Sequence, residues 1–195
     1  RVLAYHKPVG EIVTRRDPGG RATVFERLPK LHHGQWISIG RLDLNTSGLL
    51  LFTDSGALAN RLMHPRYEIE REYVVRVLGP LSDASRRRLL EGVTLDDGKA
   101  AFALLEPVRA SKADAANRWY RVMLREGRTR EVRRLFEAVG AKVSRLARVR
   151  FAGVRLPNDL HAGRWIELDA HSCATQLGEG SGTTGTTIVR QPKSC

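Results

Sequence analysis

Apolar and polar residues change their rhythm repeatedly along the chain, and each change predicts an element. Val2 to Tyr5 reads as a short strand, and Lys7-Pro8-Val9-Gly10 follows as a turn, since proline cannot donate to a ladder and glycine permits unusual dihedrals. Trp36 to Ile39 and Leu49 to Thr53 are strand-like apolar runs, separated by a polar stretch from Gly40 to Gly48 with glycine at both ends. Ala57 to Met63 is helix-like, and Glu70 to Leu78 is rich in β-branched and aromatic residues. Ser82 and Asp83 offer an N-cap for a second helix through Leu90, stopped by Gly92. Val93 to Leu105 and Trp119 to Leu124 read as strands, with a charged loop around Lys112-Ala113-Asp114 between them. Thr129 to Val139 has the clearest helical period, with Val132, Leu135, Phe136 and Val139 on one face and Arg130, Arg133 and Glu137 on another. Its expected start at Gly127-Arg128-Thr129 would suit a phosphate, because free amides and the helix dipole favour anions there. Val143 to Phe151 and Trp165 to Leu168 finish the strands. From about His171 the composition turns to Gly, Ser and Thr, so 171–195 is expected to be a flexible tail following a folded 1–170.

Composition changes the picture through charge. With 195 residues, 42% of them hydrophobic, the chain can bury one substantial core or two smaller ones. The formal charge is +12, which makes a polyanion the first partner to consider. Between Arg118 and Arg155 stand twelve Lys and Arg against Glu126, Glu131 and Glu137, so this segment carries +9 of the total. It reads either as a phosphate-binding surface or as a solvated charged face. The only cysteines, Cys173 and Cys195, fall in the expected tail, which suggests neither a disulfide framework nor a cysteine metal site. No leader and no bilayer-spanning apolar run is read, so a cytoplasmic protein without membrane attachment is expected.

Asp43 is the first candidate for chemistry. It sits in the glycine-bracketed loop with Arg41 two residues away, and a nearby guanidinium favours an ionised carboxylate. An Asp in a turn is equally at home as a backbone cap. Leu51-Phe52-Thr53-Asp54 at the end of an apolar strand raises an Asp-dependent phosphoryl transferase as another reading, though no glycine-rich phosphate loop accompanies it. His32-His33 reads as polar loop, since neighbouring side chains of an extended stretch point apart and no further ligands stand out.

The letters around Asp43 add a resemblance. GRLDLNTSGLLLFT (40–53) is similar to the signature loop of the bacterial ribosomal-RNA pseudouridine synthases of the RsuA and RluB branch. YHKPVG (5–10), EREYVVRV (70–77), EGRTREVRRLFEAVG (126–140) and VSRLARVRFAGVRL (143–156) agree in order and spacing, so the resemblance runs from Val2 to about Leu168. Ordered blocks of this kind are far more specific than one short motif. The chain departs from the pattern at Ser55-Gly56, where relatives usually carry Asp-Gly with Asp54 displaced by one. It also lacks the small RNA-binding domain that usually precedes the first strand, so a longer protein is expected.

The resemblance implies an α/β (α+β) fold with a mixed, largely antiparallel sheet flanked by helices, and a central cleft holding Asp43. It implies that a uridine in ribosomal RNA, with the large-subunit 23S RNA favoured, is isomerised to pseudouridine without any cofactor or metal. Asp43 would be the nucleophile, Arg41 its loop neighbour, Tyr73 the tyrosine near the uracil, and Arg133 the arginine paired with the carboxylate. Leu146 would pack against the base, and Lys7, Arg130, Arg145 and Arg148 are expected on the substrate side. Each has a plainer alternative: a sheet tyrosine for Tyr73, a solvated helix arginine for Arg130 and Arg133, a core leucine for Leu146. Ribosomal RNA or a ribosome precursor is the expected partner and a monomer the expected state. A non-catalytic RNA-binding or ribosome-assembly module of the same fold remains the alternative.

Overall fold

The computed structural model describes residues 1–108 and 117–178; the loop expected around Lys112-Ala113-Asp114 and the chain beyond 178 lie outside the described residues. In chain order the elements are β1 (Val2–Lys7), β2 (Ile37–Ile39), β3 (Ser47–Thr53), α1 (Gly56–Met63), β4 (Arg71–Leu78), α2 (Asp83–Glu91), β5 (Val93–Leu95), β6 (Gly98–Ala100), β7 (Leu104–Val108), β8 (Asn117–Leu124), α3 (Glu131–Glu137), β9 (Val143–Phe151), β10 (Val154–Arg155), β11 (Trp165–Leu168) and α4 (Ala170–Gly178). This is an α/β protein with largely antiparallel strand pairing. It divides into two compact units, Arg1–Ile69 with the chain from Arg148 on, and Glu70–Ala147.

In the first unit β1 is the middle of the order β11-β1-β3, with Tyr5 opposite Trp165 on one side and Leu50 on the other. β2 pairs with the end of β3, Ile39 opposite Leu51. Leu49, Leu50, Leu51 and Phe52 are all fully buried, so both faces of β3 are covered. That explains a continuous apolar run in place of an alternating one. Leu49 and Leu51 join Ala4 and Val2 of β1, Ala59 and Leu62 of α1, and Ile166 and Leu168 of β11 in one hydrophobic cluster. On the other face Phe52 meets Tyr5 and Phe25 edge to face, at 6.1 and 5.4 Å between ring centroids. The unusual Ser55 supplies what the turn needs, since its hydroxyl caps α1 by accepting from the Leu58 amide at 3.3 Å.

In the second unit β8 lies between β4 and β7, and the opening residues of β9 lie beside β4, where the Leu78 amide donates to the Lys142 carbonyl at 3.0 Å. Ser82 caps α2 as its sequence predicts, and Gly92 ends it at φ +109°. Phe136 of α3 packs its ring 5.4 Å from Phe102 and 6.4 Å from Tyr120.

Three expected elements differ. Val93 to Leu105 is no single strand, because Asp96-Asp97-Gly98 turns β5 back on β6 and Gly98 takes φ +112°. The expected helix over Thr129 to Val139 contracts to Glu131–Glu137, because Arg130 stands in the left-handed region at φ +52° and Gly140 at φ +75° ends the turn that follows. Residues 171–178, expected as the start of the tail, belong to α4, which begins where Asp169 accepts from the Ser172 amide at 2.7 Å and whose Leu177 is buried in the first unit's cluster.

Candidate active-site loop

The segment between β2 and β3 is held from both ends and from beneath. Gly40 and Gly48 take φ +77° and +104°, conformations that strain any residue with a side chain. At Gly48 there is also no room, since a Cβ would stand 2.2 Å from the Arg148 carbonyl oxygen. Between them the Asp43 carbonyl accepts from the Thr46 amide at 3.0 Å, and the Leu44 carbonyl accepts from the Gly10 amide at 2.9 Å. Lys7, fully buried, donates its Nζ to the carbonyls of Pro8 at 2.9 Å, Asp43 at 3.1 Å and Thr46 at 2.9 Å. These bonds use the ammonium's three hydrogens on three main-chain oxygens.

Asp43 therefore has its backbone fixed while its side chain is half-buried. Within the first unit its carboxylate accepts no hydrogen bond among the described residues, so it does not serve as a turn cap. Arg41, two residues earlier in the loop, is exposed. Burial lowers the Lys7 ammonium from its usual range to about 8, and the Glu11 and Asp43 carboxylates act the other way by sustaining its charge.

The second unit carries the other expected residues. Tyr73 lies on β4 opposite Val122 and is almost fully buried. Arg133 is buried on α3, 8% exposed, with Nη1 donating to the Val143 carbonyl at 3.3 Å, so it is not a solvated helix arginine. Leu146 is buried on β9 and Arg145 beside it is exposed. Arg130 is exposed at the start of α3, 3.8 Å from Glu137.

The model of the family described as RNA pseudouridylate synthase matches residues 1–138. The chain belongs to that family. It is 60% identical over 169 residues to a ribosomal large subunit pseudouridine synthase B of Escherichia coli (strain K12), covering 87% of this chain and 57% of that protein. A relative of the same description from Haemophilus influenzae is 56% identical over 169 residues, covering 87% of this chain and 46% of that one. The chain thus spans about half the length of the curated relatives it matches. Among solved structures, a crystal structure of pseudouridylate synthase superposes with a TM-score of 0.77 at 27% identity, over 90% of this chain and 73% of that one. The archaeal box H/ACA sRNP Nop10-Cbf5 complex shares the fold, with a TM-score of 0.54 at 20% identity over 83% of this chain and 50% of that one.

For a member of this family, two residues expected to meet substrate are placed otherwise. Lys7 is consumed by loop carbonyls. Arg148, 2% exposed, donates Nε to the Leu49 carbonyl at 2.7 Å and lays its guanidinium over the Phe151 ring. Both hold the first unit together around β3. The phosphate site expected at the start of α3 is not built either, because α3 is short and its own buried Glu131 accepts from the Arg128 amide at 3.0 Å.

Much of the basic segment is already paired. Arg121 meets Glu72 and Glu106, Arg125 meets Glu70, Arg128 meets Glu126 and Asp97, and Arg134 forks onto Asp97 at 2.6 and 2.8 Å. Arg134 in turn holds the Asp97 carboxyl at about 2, below the usual carboxylate range. Four of these acids lie outside the segment whose charge was counted, which is why the local sum overstates the free charge. Lys142 and Arg145 are exposed without an acidic partner among the described residues. Sequence reasoning missed Glu11, which is 3% exposed; its only signal was a place just beyond the Tyr5-His6-Lys7-Pro8 block. Among the described residues no group of three or more His, Cys, Asp or Glu side chains is placed to hold a metal, and no helix is long and apolar enough to cross a membrane.

Proposed function

We propose that this chain isomerises a uridine of large-subunit ribosomal RNA to pseudouridine, with Asp43 as the nucleophile acting on a flipped-out nucleotide. The observation that carries this reading is a carboxylate left without a hydrogen bond within its unit, on a loop whose backbone is fixed by Lys7, Gly10 and Thr46. A carboxylate used as a structural cap would be engaged; one fixed in place but unengaged is suited to attack. The names of the relatives support the choice of RNA.

The reaction breaks the bond between the ribose anomeric carbon and ring nitrogen N1, turns the uracil, and joins the same carbon to ring C5. The C5 hydrogen leaves as a proton and N1 gains one, so atoms and charge balance without an oxidant, reductant or metal. Asp43 either bonds to the anomeric carbon or takes part in a glycal route. Hydrolytic glycosidases commonly use two carboxylates, one of them to activate water. Here one carboxylate suffices, provided water is kept from the sugar. The roles of Tyr73 in the late proton transfer, of Leu146 against the base and of Arg133 as partner of the carboxylate follow the family resemblance. A stacked uridine must leave its helix at a cost of about a few kcal/mol. The exposed Arg41, Lys142 and Arg145 are among the cations available for flanking phosphates. The protein acts in the cytoplasm, as a monomer, on ribosomal RNA or a ribosome precursor.

The test uses unmodified ribosomal RNA labelled with tritium at uracil C5, incubated with the chain and with its Asp43→Asn variant. Release by the parent alone, at one large-subunit position, is the expected result. Binding without release by both forms, on naked RNA and on precursor particles, would replace this reading with a non-catalytic RNA-binding module.

A further inference from the structure

The first unit contains a buried charged group that the reaction chemistry leaves unused. Tyr5 and Lys7 are two apart on β1 and so project from the same face. The Tyr5 hydroxyl donates to Glu11 Oε2 at 2.5 Å, and Arg27 Nε donates to Glu11 Oε1 at 2.5 Å. Tyr5 is fully buried and Glu11 nearly so, while the Arg27 side chain is about half exposed. A carboxylate taken out of water this far costs several kcal/mol unless charges and donors compensate it. An internal Gln would fill the same space without that cost, so the charge calls for a use. Glu11 follows Gly10, whose amide holds the Leu44 carbonyl, and precedes Ile12, which exchanges backbone bonds with Ala22 and Val24.

We propose that Glu11 is a positioning residue for the Asp43 loop: its carboxylate is the counter-charge of Lys7 and the clamp on the 8–12 turn, so that both main-chain supports of residues 43 and 44 depend on it. The charges facing Lys7 are Glu11 from the turn and Asp43 from the loop, with Arg27 opposing through Glu11. Asp43 is the reacting group, so Glu11 is the counter-charge that stays constant through a turnover. A protonated Lys7 supplies three hydrogens for three carbonyls; a neutral amine supplies two and leaves one of Pro8, Asp43 or Thr46 without its donor. Because burial already brings the Lys7 ammonium down to about 8, a modest change in its surroundings moves it across the working pH range.

This inference rests on Asp43 being the nucleophile, and its test is arranged to separate the two. The chain has six lysines, so a spectrum of protein labelled with ¹³C-lysine resolves the Lys7 ε-carbon, assigned by its loss in Lys7→Met. In the folded chain the Lys7 titration midpoint is expected to fall by about one unit in Glu11→Gln and to rise in Arg27→Gln. Tyr5→Phe, which keeps the carboxylate charge, should leave the midpoint near the wild-type value. The alkaline limb of single-turnover tritium release should move with the midpoint in each variant, and at pH 8 Glu11→Gln should lose about fivefold in kcat with KM within about twofold. A purely structural Glu11 would change stability in all three variants without ordering the midpoints in this way. An unchanged Lys7 midpoint in both Glu11→Gln and Arg27→Gln overturns the proposal whether or not the protein turns over RNA. A wild-type protein with no tritium release overturns the catalytic reading and leaves the lysine titration as the judge of this one.

Discussion

Gly48 is where sequence, packing and site meet most tightly, and replacing it with alanine tests all three. The residue ends the Asp43 loop at φ +104°, and a Cβ there would stand 2.2 Å from the Arg148 carbonyl oxygen, 2.6 Å from its nitrogen and 2.9 Å from its carbonyl carbon. None of these atoms belongs to a flexible side chain tip, so β3 and β9 must separate. Holding a non-glycine residue at such a φ costs about 1–3 kcal/mol, and forcing an extra carbon into packed backbone costs about 1–3 kcal/mol more. Gly40 provides the control, since its φ of +77° is also positive but a Cβ there meets nothing within 4 Å. Gly40→Ala should therefore lose only the conformational part, about 1–2 kcal/mol. Gly48→Ala should lose about 3–5 kcal/mol. For a chain of this size that corresponds to a drop in Tm of roughly 10 °C, against about 4 °C for the control. Urea and thermal unfolding, followed by circular dichroism, measure both. Equal losses in the two variants would show that backbone conformation alone explains Gly48 and that the close approach of β3 to β9 is not a constraint.

Two further outcomes follow from the placement of buried and exposed cations. Arg145→Ala should lower the salt dependence of RNA affinity by about one counterion with little change in stability. Arg148→Ala should destabilise by about 3–5 kcal/mol through the lost packing on Phe151 and the orphaned Leu49 carbonyl; similar stability in the two variants would refute the division. For Lys7, the folded-state midpoint near 8 lies below the ordinary 10.5, so between these values the unfolded chain holds the proton more tightly. Stability should then rise with pH across that window, by up to about 3 kcal/mol relative to Lys7→Met, while turnover falls. Urea midpoints measured from pH 7 to 10.5 in both proteins check the sign.

Much of the fold is legible in the sequence because its strongest signals are long and periodic. β9 and β11 run over the residues that their apolar runs predict, and α2 is bounded by Ser82 and Gly92 as capping chemistry requires. Boundaries failed where one residue's conformation outweighed a period. The heptad-like spacing of Val132, Leu135, Phe136 and Val139 extends the helix on paper, yet Arg130 at φ +52° sets its start, and no rule of periodicity predicts a non-glycine residue there. The start of the expected tail failed for a related reason. His171 to Leu177 has too few apolar residues to announce a helix, but Leu177 finds a place in the first unit's cluster, and that tertiary contact decides the matter.

At the candidate site the sequence separated structural cations from exposed ones less well, because a cation's letter does not record its burial. Lys7, Arg133 and Arg148 are written like Arg41 and Arg145, yet the first three are buried and the last two are exposed. The division has a physical consequence for how such a loop works. The supports of the Asp43 loop described above act on main-chain atoms: Lys7 on carbonyls, Gly10 on the Leu44 carbonyl, Thr46 through its amide. Placement of the carboxylate is thereby decoupled from its own hydrogen bonding, so the nucleophile role proposed for Asp43 would require no structural bond to be given up first. The arrangement shifts the burden of order onto a buried ammonium and the carboxylate that balances it. On the proposal made above, the loop then depends on Glu11, a residue that the 40–53 motif does not contain.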